Sequence, residues 1–563
     1  MDYSKLCETY LGLEETTKRL EKTEILSKLL KNTSVEELKE IIYLIKGRVF
    51  PDWDERKLGM SSKLILKSIS NASGASKEKI ERLWKKIGDL GKVAEELMKD
   101  KKQRTLHNKK LTAKKVFDNI KKLPELTGEG TVSRKVNLIA ELLSNATPVE
   151  ARFIVRTVLE ELRVGVASGV IRDSIAKAFN IEVKDVERAF ELLNDYGEVA
   201  EKAKSGKRSL RSVSINVGKP IKVMLPIRVN LIEDAFKALG KTVQCEIKLD
   251  GFRVQIHKKG EDISLFTRRL ENVTNQFKEI LPILKKNVKG DSYILDTELI
   301  GFNPKTKKYL PFQSISHRIR RKYDIEKMAK SLPVEINIFD VMYYNGKNLF
   351  DKTLKERRKI LEKIVNEERR KIVLTEKLIT DNKKSIEKFY KESLNEGYEG
   401  VIFKKIDSEY KPGRYVKGWI KLKPIMETLD LVIIGGVWGE GKRATWLSSF
   451  ALGCRKGNKF LEIGKIGTGI KEKSEGVTFK QLTKELKPYI EETKGRTVKI
   501  KPKLIIEIAY EEIQKSPTYS SGYALRFPRL LRLRDDLSIK DCDDIERVRK
   551  FYLAQRKISE EKK

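Results

Sequence analysis

The 563-residue chain has few of the residues that build metal sites and disulfide frameworks. Its four cysteines lie far apart and form no C-x-x-C pair, which predicts neither a zinc ribbon nor a set of disulfides. Only three histidines occur, His107, His257 and His317. A metal site built on histidine is therefore not expected.

The sequence also lacks long apolar segments. No apolar run approaches the ~18 residues that a membrane-spanning helix needs. The first residues, Met1–Lys5, do not show the charged segment followed by an apolar one that marks a secretory signal. We therefore expect a soluble protein of the cytoplasm with no membrane partner.

Acidic residues are the minority charge. Asp and Glu number 81 against 118 Lys and Arg, a formal net charge of +37, which predicts a polyanionic partner, with nucleic acid as the first candidate. A charged fraction of 35% also fits adaptation to high temperature, but such adaptation raises both signs and does not explain the imbalance. The length predicts about three or four domains.

The first 215 residues carry helical periodicity without convincing strand alternation, which predicts an all-α domain for residues 1–215. Ser34–Glu37 has the form of a capping box that opens one of its helices.

One segment of this domain, Val158–Arg172, has the composition of a backbone-binding turn. Gly165 is predicted to end a helix and Gly169 to lie at the start of the next. Small residues there would let a phosphate approach the N–H groups of the helix start, with Arg163 and Arg172 nearby. A plain helical hairpin explains the same residues equally well.

Beyond a predicted linker at residues 204–214 the pattern changes twice. Residues 216–424 mix strands and helices without regular βαβ alternation, which predicts an α+β domain with hairpins near 243–268. Residues 425–563 contain mostly short strands with turns, which predicts a small closed β-barrel followed by a charged helical tail.

Lys248 is the candidate nucleophile. It lies in Cys245–His257, which reads as a strand, a glycine bend and a second strand, with Glu246 on its own face and Arg253 shortly after. A lysine that is partly desolvated and near other cations loses proton affinity and can attack an electrophile. Taken alone, a strand lysine is far more often ordinary solvated surface.

Two later strands carry possible ligand-binding groups. Asp296 and Glu298 share one face of a strand, where they suit a cation or a hydroxyl-rich ligand, although a cross-strand ion pair is the commoner role. Phe339 ends an apolar strand and could stack on a base, although core packing is the commoner role of such an aromatic.

The remaining groups are carboxylates and cations at strand ends. Glu399–Lys404 begins with a carboxylate and ends with a lysine, and Lys421 and Lys423 share a face that would suit a triphosphate. Each is also compatible with a solvated sheet face. In Arg526–Asp536 four arginines stand among apolar residues, an arrangement that indicates phosphate clamps.

In chain order these segments read K-x-D-G, D-x-E, F-D, E-G-V-x-x-K, K-x-K and R-F-P-R. The sequence resembles the ATP-dependent DNA ligases of the archaeal and eukaryotic replicative type, within the covalent nucleotidyltransferase superfamily. The resemblance covers nearly the whole chain, because residues 161–166 and 219–225 also look like that family. K-x-D-G alone is a weak signal, but six motifs in order are a strong one.

The resemblance implies a multidomain fold and an activity. The domains would be an all-α DNA-binding domain at 1–215, an α+β nucleotidyltransferase (ATP-grasp-like adenylation) domain at 216–424, and an OB-fold β-barrel with a helical tail at 425–563. The activity would be sealing of 5′-phosphate/3′-hydroxyl nicks in duplex DNA during replication, repair and recombination. It would use ATP and Mg²⁺, or Mn²⁺, and pass through lysyl-AMP and DNA-adenylate intermediates.

The resemblance also implies roles for single residues. Lys248 would be the nucleophile. The nucleoside contacts would be Glu246 at the adenine amino group, Phe339 stacked on the base, Arg253 and Arg268 on the ribose and phosphate side, and Glu298 at the ribose or a metal ion. The phosphate contacts would be Glu399 through a metal ion, Arg414, Lys421 and Lys423, with Arg526 and Arg529 orienting pyrophosphate in the first step only.

The helical domain would hold the duplex through Arg163, Gly165, Gly169 and Arg172 without reading sequence. A prokaryotic, nucleoid-associated monomer is expected. Gln103–Asn108 lacks the paired aromatics of the family's usual clamp-binding motif, so a sliding-clamp partner is not predicted through that segment. The four-cysteine zinc module of NAD-dependent ligases is absent as well, which favours ATP.

Two other interpretations compete. An RNA ligase or mRNA-capping guanylyltransferase would share the middle motifs, but the long helical front and R-F-P-R favour DNA joining. A noncatalytic DNA-binding protein with a dead nucleotide fold would have the same charge, but the intact Lys248, Glu298, Glu399 and Lys421 argue against it.

Overall fold

The structure, a computed structural model, describes residues 1–99, 110–319, 323–414, 418–424, 426–440, 443, 445–472 and 476–555, without the side chains of Gln313, His317 and Arg414. Gln103–Asn108, the segment through which no sliding-clamp partner is predicted and which includes His107, lies outside these residues. The chain divides into two compact units, the first of Met1–Lys86 and Leu90–Lys423, the second of Ile87–Asp89 and Pro424–Lys563. Within the described ranges, none of the helices combines the length and the apolar character that a membrane span needs.

The first part of the larger unit is helical. Its helices are α1 (Tyr3–Glu15), α2 (Arg19–Asn32), α3 (Val35–Ile45), α4 (Ser62–Ser73), α5 (Lys77–Ile87), α6 (Leu90–Lys99), α7 (Ala113–Lys121), α8 (Thr131–Asn145), α9 (Pro148–Val158), α10 (Ser168–Ala178), α11 (Val183–Leu193), α12 (Tyr196–Lys204) and α13 (Lys207–Arg211), with a short 3₁₀ turn at Leu123–Glu125.

Helix starts in this region show which capping signals operate. At α9 the Thr147 hydroxyl oxygen accepts from the Glu150 N–H, and the Glu150 carboxylate accepts from the Thr147 N–H. The two bonds complete a capping box. The capping box predicted at Ser34–Glu37 is not formed, although α3 does begin after Ser34. The Glu37 carboxylate binds the amino terminus of Met1 instead.

The second part of the larger unit mixes strands and helices. Its elements are β1 (Met224–Leu225), β2 (Ile227–Val229), α14 (Ile232–Leu239), β3 (Val243–Lys248), β4 (Phe252–Lys259), β5 (Asp262–Thr267), α15 (Leu281–Asn287), β6 (Ser292–Gly301), α16 (Phe312–Ile319), α17 (Ile325–Ser331), β7 (Val334–Tyr344), β8 (Lys347–Asn348), α18 (Leu354–Ile364), β9 (Ile372–Leu374), β10 (Lys377–Thr380), α19 (Lys383–Asn395), β11 (Gly400–Lys405), β12 (Gly413–Arg414) and β13 (Trp419–Leu422).

These strands form two main sheets. One has the order β10-β3-β11-β13-β2, and the other has the order β5-β4-β6-β7-β8 with β9 added alongside β7. The prediction of hairpins near 243–268 is therefore right for β4 and β5 and wrong for β3 and β4, which belong to different sheets.

Gly251 explains this crossing. A Cβ at this position would lie 2.6 Å from the carbonyl oxygen of Leu299 and 2.7 Å from Cγ of Glu298, so only glycine lets the chain pass so close to β6. Lys248 therefore ends β3 of one sheet, and Arg253 is the second residue of β4 in the other, so both lie at the seam between the sheets.

The alternation of side chains on β3 decides which groups face this seam. Val243 and Cys245 pack into an apolar cluster with Ile386 of α19 and Ala235 of α14. Because successive side chains on a strand point to opposite faces, the even-numbered residues of β3, which end with Lys248, face away from that cluster.

The second unit is a sheet domain with a helical end. Its elements are β14 (Leu429–Trp438), β15 (Leu447–Lys456), β16 (Lys459–Ile466), α20 (Phe479–Leu486), β17 (Ile490–Lys494), β18 (Thr497–Ile500), β19 (Ile505–Ala509), β20 (Glu512–Lys515), β21 (Tyr523–Arg526), β22 (Arg529–Leu533) and α21 (Ile545–Ala554). Strand β14 is central, because it pairs with β15 along its length and with β19 and β18 in succession on its other edge.

The buried His257 on β4 makes the stability of the first unit sensitive to acid. The Gly218 N–H donates to its Nδ1 at 3.1 Å, so the ring is neutral with its proton on Nε2, which faces Oε1 of Gln255 at 3.3 Å. Burial lowers the pKa of His257 from 6.5 to about 3. Below pH 6.5 the His257 imidazole therefore binds a proton in the unfolded chain but not in the folded chain.

We predict that this group costs about 1.4 kcal/mol of stability per pH unit below 6.5, or about 2 kcal/mol at pH 5. The measurement is the free energy of unfolding derived from hydrogen exchange of the β4 amides at pH 7 and at pH 5. The decrease between the two pH values should be about 2 kcal/mol smaller in His257→Gln than in the wild type. The exposed neighbour Lys259→Gln should keep the wild-type slope. Equal slopes in all three proteins would contradict the prediction.

Candidate active site

Lys248 meets the ends of two neighbouring strands. It pairs across the ladder with Gly400 of β11, and the next residue of β11, Val401, pairs with Leu422 of β13. Gly400 has a φ of +141°, and a Cβ there would lie 2.2 Å from the Leu422 carbonyl oxygen. Only glycine permits this approach, which brings Glu399 and Lys423 to Lys248.

Glu399 is the centre of the resulting cluster. Its Oε2 is ion-paired with Nζ of Lys248 and lies 3.0 Å from Nζ of Lys423. The three side chains are only 16% to 19% exposed, so water screens their interaction weakly. We call these three residues the Glu399 cluster.

The prediction that Lys248 has lost proton affinity is wrong. Burial does disfavour its ammonium form, but Glu399 and Glu298 outweigh burial, and the pKa of Lys248 lies above its ordinary value. At Glu399 burial is likewise outweighed, by Lys248 and Lys423, and the pKa of that carboxyl lies well below its usual range. The lysine is therefore held as an ammonium ion by its carboxylate partner.

The pKa of Glu298 shifts in the opposite direction to that of Glu399. Burial raises its pKa to about 8 against the opposing effects of Lys248 and Arg253. Near neutral pH it is thus largely a neutral acid that would ionise when further positive charge arrives. Glu298 and Glu399 together suit Mg²⁺, which proteins commonly hold through one or two carboxylates plus substrate phosphates.

Among the described residues, no group of three or more His, Cys, Asp or Glu side chains is placed to hold a metal ion. A cation at this seam would therefore depend on the Glu298 and Glu399 pair together with oxygens from outside the chain.

Arg253 is fixed by Asp296. Its Nε and Nη2 donate to the two carboxylate oxygens of Asp296 at 2.9 and 2.6 Å, and its Nη1 donates to the Met224 carbonyl at 2.8 Å. Asp296 also accepts from the Tyr410 hydroxyl at 2.8 Å. Of the two carboxylates predicted to share a ligand, Asp296 is thus committed to the cross-strand ion pair and Glu298 is not.

Glu246 is buried in a second charged group. Its Oε2 lies 2.6 Å from Nζ of Lys404, and its Oε1 accepts from Nε2 of Gln244 at 2.6 Å. The Lys404 ammonium lies 4.8 Å from the ring centre of Phe339 and 4.4 Å from that of Trp419. The predicted base-stacking residue therefore lies beside the predicted base-recognising carboxylate.

The other predicted nucleotide contacts lie around the same seam. Arg268 follows β5, and burial together with Arg253 and Arg269 lowers its pKa. Lys421 is half-buried on β13, between Ile402 of β11 and Arg228 of β2. Arg414 ends β12, which pairs with β1, and its side chain lies outside the described structure.

Arg526 and Arg529 lie in the second unit. Arg526 ends β21 with its Nη1 3.2 Å from Oε2 of Glu512, and Arg529 begins β22 as an exposed residue. Phe527 between them has a φ of +51°, a left-handed conformation that is costly for a large side chain, and its ring is 66% exposed. This turn presents the two arginines at one edge of the sheet domain.

The predicted duplex-binding residues lie on one loop and the helix after it. The prediction that Gly165 ends a helix is wrong, because α9 already ends at Val158 and the left-handed Arg163 (φ +61°) is among the residues that break the helical path. Gly169 lies in the first turn of α10, as predicted for the next helix start. Arg172 on α10 pairs with Asp173 and Glu187.

Gly165 itself lies over a lysine. Its φ is +66°, and a Cβ there would lie 2.7 Å from Nζ of Lys22. The ammonium of Lys22, a buried residue of α2, donates to the Val164 carbonyl. Lys22 thus supports the loop from beneath, a role that its place in the sequence does not signal.

Sequence reasoning also missed Lys404 and Tyr410 as parts of the site. Lys404 was visible only as the lysine that closes E-G-V-x-x-K, and its partner Glu246 lies far away in the chain. Tyr410 lies in no motif. Pairing across β3 and β11 is what brings Lys404 to Glu246, and no local pattern encodes that register.

Three family models match the chain: "DNA ligase N terminus" over residues 2–176, "ATP dependent DNA ligase domain" over 223–423, and "ATP dependent DNA ligase C terminal region" over 443–537. A protein named DNA ligase from Nanoarchaeum equitans is 46% identical over 99% of both chains. Another with the same name, from Thermococcus onnurineus, is 42% identical over 100% of both. A solved structure titled Pmar-Lig_PreS3 resembles the fold with a TM-score of 0.60 at 18% identity, covering 94% of this chain and 99% of that one.

We predict that Glu399→Gln lowers the pKa of Lys248, because burial then acts on the ammonium without its main counter-charge. Competitive trace acetylation at pH 8, followed by quantification of the Lys248 peptide, should show a several-fold rise in reactivity relative to the wild type. Glu409→Gln, which removes a partner of Lys411 at the surface, is the matched control and should leave Lys248 unchanged. An unaltered Lys248 in Glu399→Gln would show that Glu399 does not hold its proton.

Proposed function

The chain belongs to the ATP-dependent DNA ligase family, and from this premise we propose that it joins 5′-phosphate and 3′-hydroxyl ends at nicks in duplex DNA by carrying AMP on Lys248. The observation that carries the proposal is the Glu399 cluster, a half-buried lysine held beside a carboxylate and a second lysine at converging strand ends. These are the groups that transfer of a phosphoryl centre to an amine requires.

In the first step, the neutral Nζ of Lys248 attacks the α-phosphorus of ATP. An N–P bond forms, the bond between the α-phosphorus and the oxygen bridging it to the β-phosphorus breaks, pyrophosphate leaves, and the nitrogen gives up a proton to solvent. Attack requires loss of the proton that Glu399 now stabilises, so any change that draws Glu399 away leaves burial to favour the neutral amine. Lys421 and Lys423 carry positive charge to the phosphates, where it stabilises the transition state.

In the second step, an oxygen of the 5′-phosphate at the nick attacks the phosphorus of lysyl-AMP, which breaks the N–P bond and leaves the lysine free. In the third step, the 3′-hydroxyl oxygen attacks the 5′-phosphorus, its proton is lost, and AMP departs. Glu298 and Glu399 would hold Mg²⁺, which when bound supplies positive charge against the phosphates.

The nucleoside would lie along the seam between the two sheets. Glu246 accepts from the adenine amino group, Phe339 stacks on the base, and Arg253 and Arg268 lie on the ribose and phosphate side. The firm hold of Asp296 on Arg253 supports this role, because a guanidinium fixed in advance loses less freedom when it binds. Arg414 would join the phosphate contacts.

We assign the second unit an OB-type barrel that works at two places. Arg526 and Arg529 orient pyrophosphate in the first step, and the unit then moves to the DNA. The segment at Lys423–Pro424, where the two compact units divide, is the proposed hinge. Arg163, Gly165, Gly169 and Arg172 hold the duplex backbone, and the working unit is a monomer at the nucleoid of a prokaryotic cell.

We predict that the wild type, incubated with α-labelled ATP and Mg²⁺, becomes covalently labelled and passes the label to a nicked duplex. Lys248→Ala should lose both the label and nick sealing, because the substitution removes the amine that attacks the α-phosphorus. Lys259→Ala, an exposed lysine after the same motif, is the control and should behave as the wild type. Sealing by Lys248→Ala would refute the proposed mechanism.

We also predict that Arg526→Ala and Arg529→Ala slow self-adenylylation about tenfold or more while sealing of pre-adenylated nicks changes little, because their contacts are made only in the first step. Arg549→Ala on α21, an arginine that pairs with Glu546, is the matched control. Equal losses in both assays would count against the first-step role.

A further inference from the structure

Lys404 and Glu246 form a buried ion pair that takes no part in the phosphoryl-transfer steps. Their side chains are 1% and 2% exposed, with 2.6 Å between Nζ and Oε2. The other carboxylate oxygen of Glu246 accepts from Gln244, itself 1% exposed. Both oxygens of Glu246 are therefore held in place by buried donors.

The surroundings of Lys404 make each charge depend on the other. Its Nζ donates to the Phe339 carbonyl at 3.4 Å and lies over the rings of Phe339 and Trp419, which are neutral neighbours. Burial lowers the pKa of Lys404, and Glu246 is the main group that opposes this. If the lysine charge were removed, Glu246 would be a buried carboxylate without a counter-ion and without one of the two donors that fix it.

Stability alone does not account for such a pair. Taking both charges out of water costs several kcal/mol, and apolar residues of similar volume often serve as well or better. The position of the pair is more informative. Glu246 and Lys248 share one face of β3 and lie about 7 Å apart along the strand, so the carboxylate borders the space beside the nucleophile, next to the aromatic ring of Phe339.

We propose that Lys404 is a positioning residue for base selection, which keeps Glu246 ionised and fixed so that one wall of the base pocket accepts hydrogen bonds and cannot donate them. The inference rests on the proposed function, since it requires the base of the nucleotide to lie at Glu246. An ionised carboxylate only accepts, so a purine with an amino group at that edge, adenine, pairs with it.

A purine with a carbonyl at that edge, guanine, would set its oxygen against the carboxylate with no proton between them. Sites built to pair a particular hydrogen-bonding group reject an analogue that cannot form the bond far more strongly than an apolar pocket rejects a change of size. Without Lys404 the Glu246 carboxylate would no longer be fixed as an acceptor at this wall, and the discrimination would weaken.

The test compares formation of the enzyme–nucleotide adduct from α-labelled ATP and GTP in the full chain. For Lys404→Met we expect KM for ATP to rise about tenfold with kcat within about threefold, and the ATP-to-GTP ratio of kcat/KM to fall about a hundredfold. Lys404→Arg keeps the positive charge and should retain most of the wild-type ATP-to-GTP ratio of kcat/KM. Lys405→Met, the exposed next residue of the same strand, should match the wild type.

The double variant Glu246→Gln, Lys404→Met covers the case in which Lys404→Met does not fold, because it leaves no charge unpaired. Its amide can donate, so its ATP-to-GTP ratio should also fall. A folded Lys404→Met, alone or combined with Glu246→Gln, that keeps the wild-type ATP-to-GTP ratio would overturn this inference while leaving the proposed function intact. A wild-type protein that takes no label from ATP would contradict both the proposed function and this inference.

Discussion

The carboxylate of Glu399, shared between Lys248 and Lys423, is the interaction on which the rest of the site depends. It joins the ends of three adjacent strands, β3, β11 and β13, at a point where Gly400 lets the backbones come close. It also decides the charge state of the nucleophile. Burial alone would lower the pKa of Lys248, and the carboxylate outweighs that effect. The lysine is thus kept as an ammonium ion, and catalysis requires that the interaction with Glu399 be weakened so that the proton can leave.

Predicted nucleotide-binding residues lie on either side of this cluster, along the seam between the two sheets. On the side of the second sheet, Asp296 holds Arg253 in one orientation and itself accepts from the Tyr410 hydroxyl. On the side of the first sheet, Lys404 and Gln244 hold Glu246. Arg253 and Glu246 are therefore each fixed by a buried partner before a ligand arrives, which limits the entropy lost on binding. The chain crosses between the sheets at Gly251, so the nucleophile and both recognition groups come from one continuous segment.

The candidate residues of the site were predicted from motifs that are each local, in which each residue type has few chemical uses. Lys248, Glu298, Glu399 and Lys423 are indeed brought together. What local patterns could not predict was the sign of the effect on Lys248, since it depends on which charge lies nearest after folding. A cation, Arg253, stands closer in the sequence, but it is neutralised by Asp296, and the deciding neighbour is Glu399, which lies far along the chain.

The same limit explains the other differences. The break between β3 and β4 was predicted, but not that the strands belong to separate sheets, because a hairpin and a crossing share the same turn residues. Lys404 was overlooked because its importance comes from strand register. The helical front and the sheet-rich end were predictable from periodicity, whereas the start of the loop before α10 was not, because the backbone of Glu160 and Arg163 adopts left-handed φ angles that their residue types do not favour.

The central claim is tested most directly by locating the nucleotide on the protein. Peptide mapping by mass spectrometry after incubation of the full chain with ATP and Mg²⁺, before and after addition of pyrophosphate, gives that location. The account predicts AMP on Lys248 alone and its removal by pyrophosphate. AMP on Lys404, Lys421 or Lys423 in place of Lys248, or on no residue at all, would contradict it.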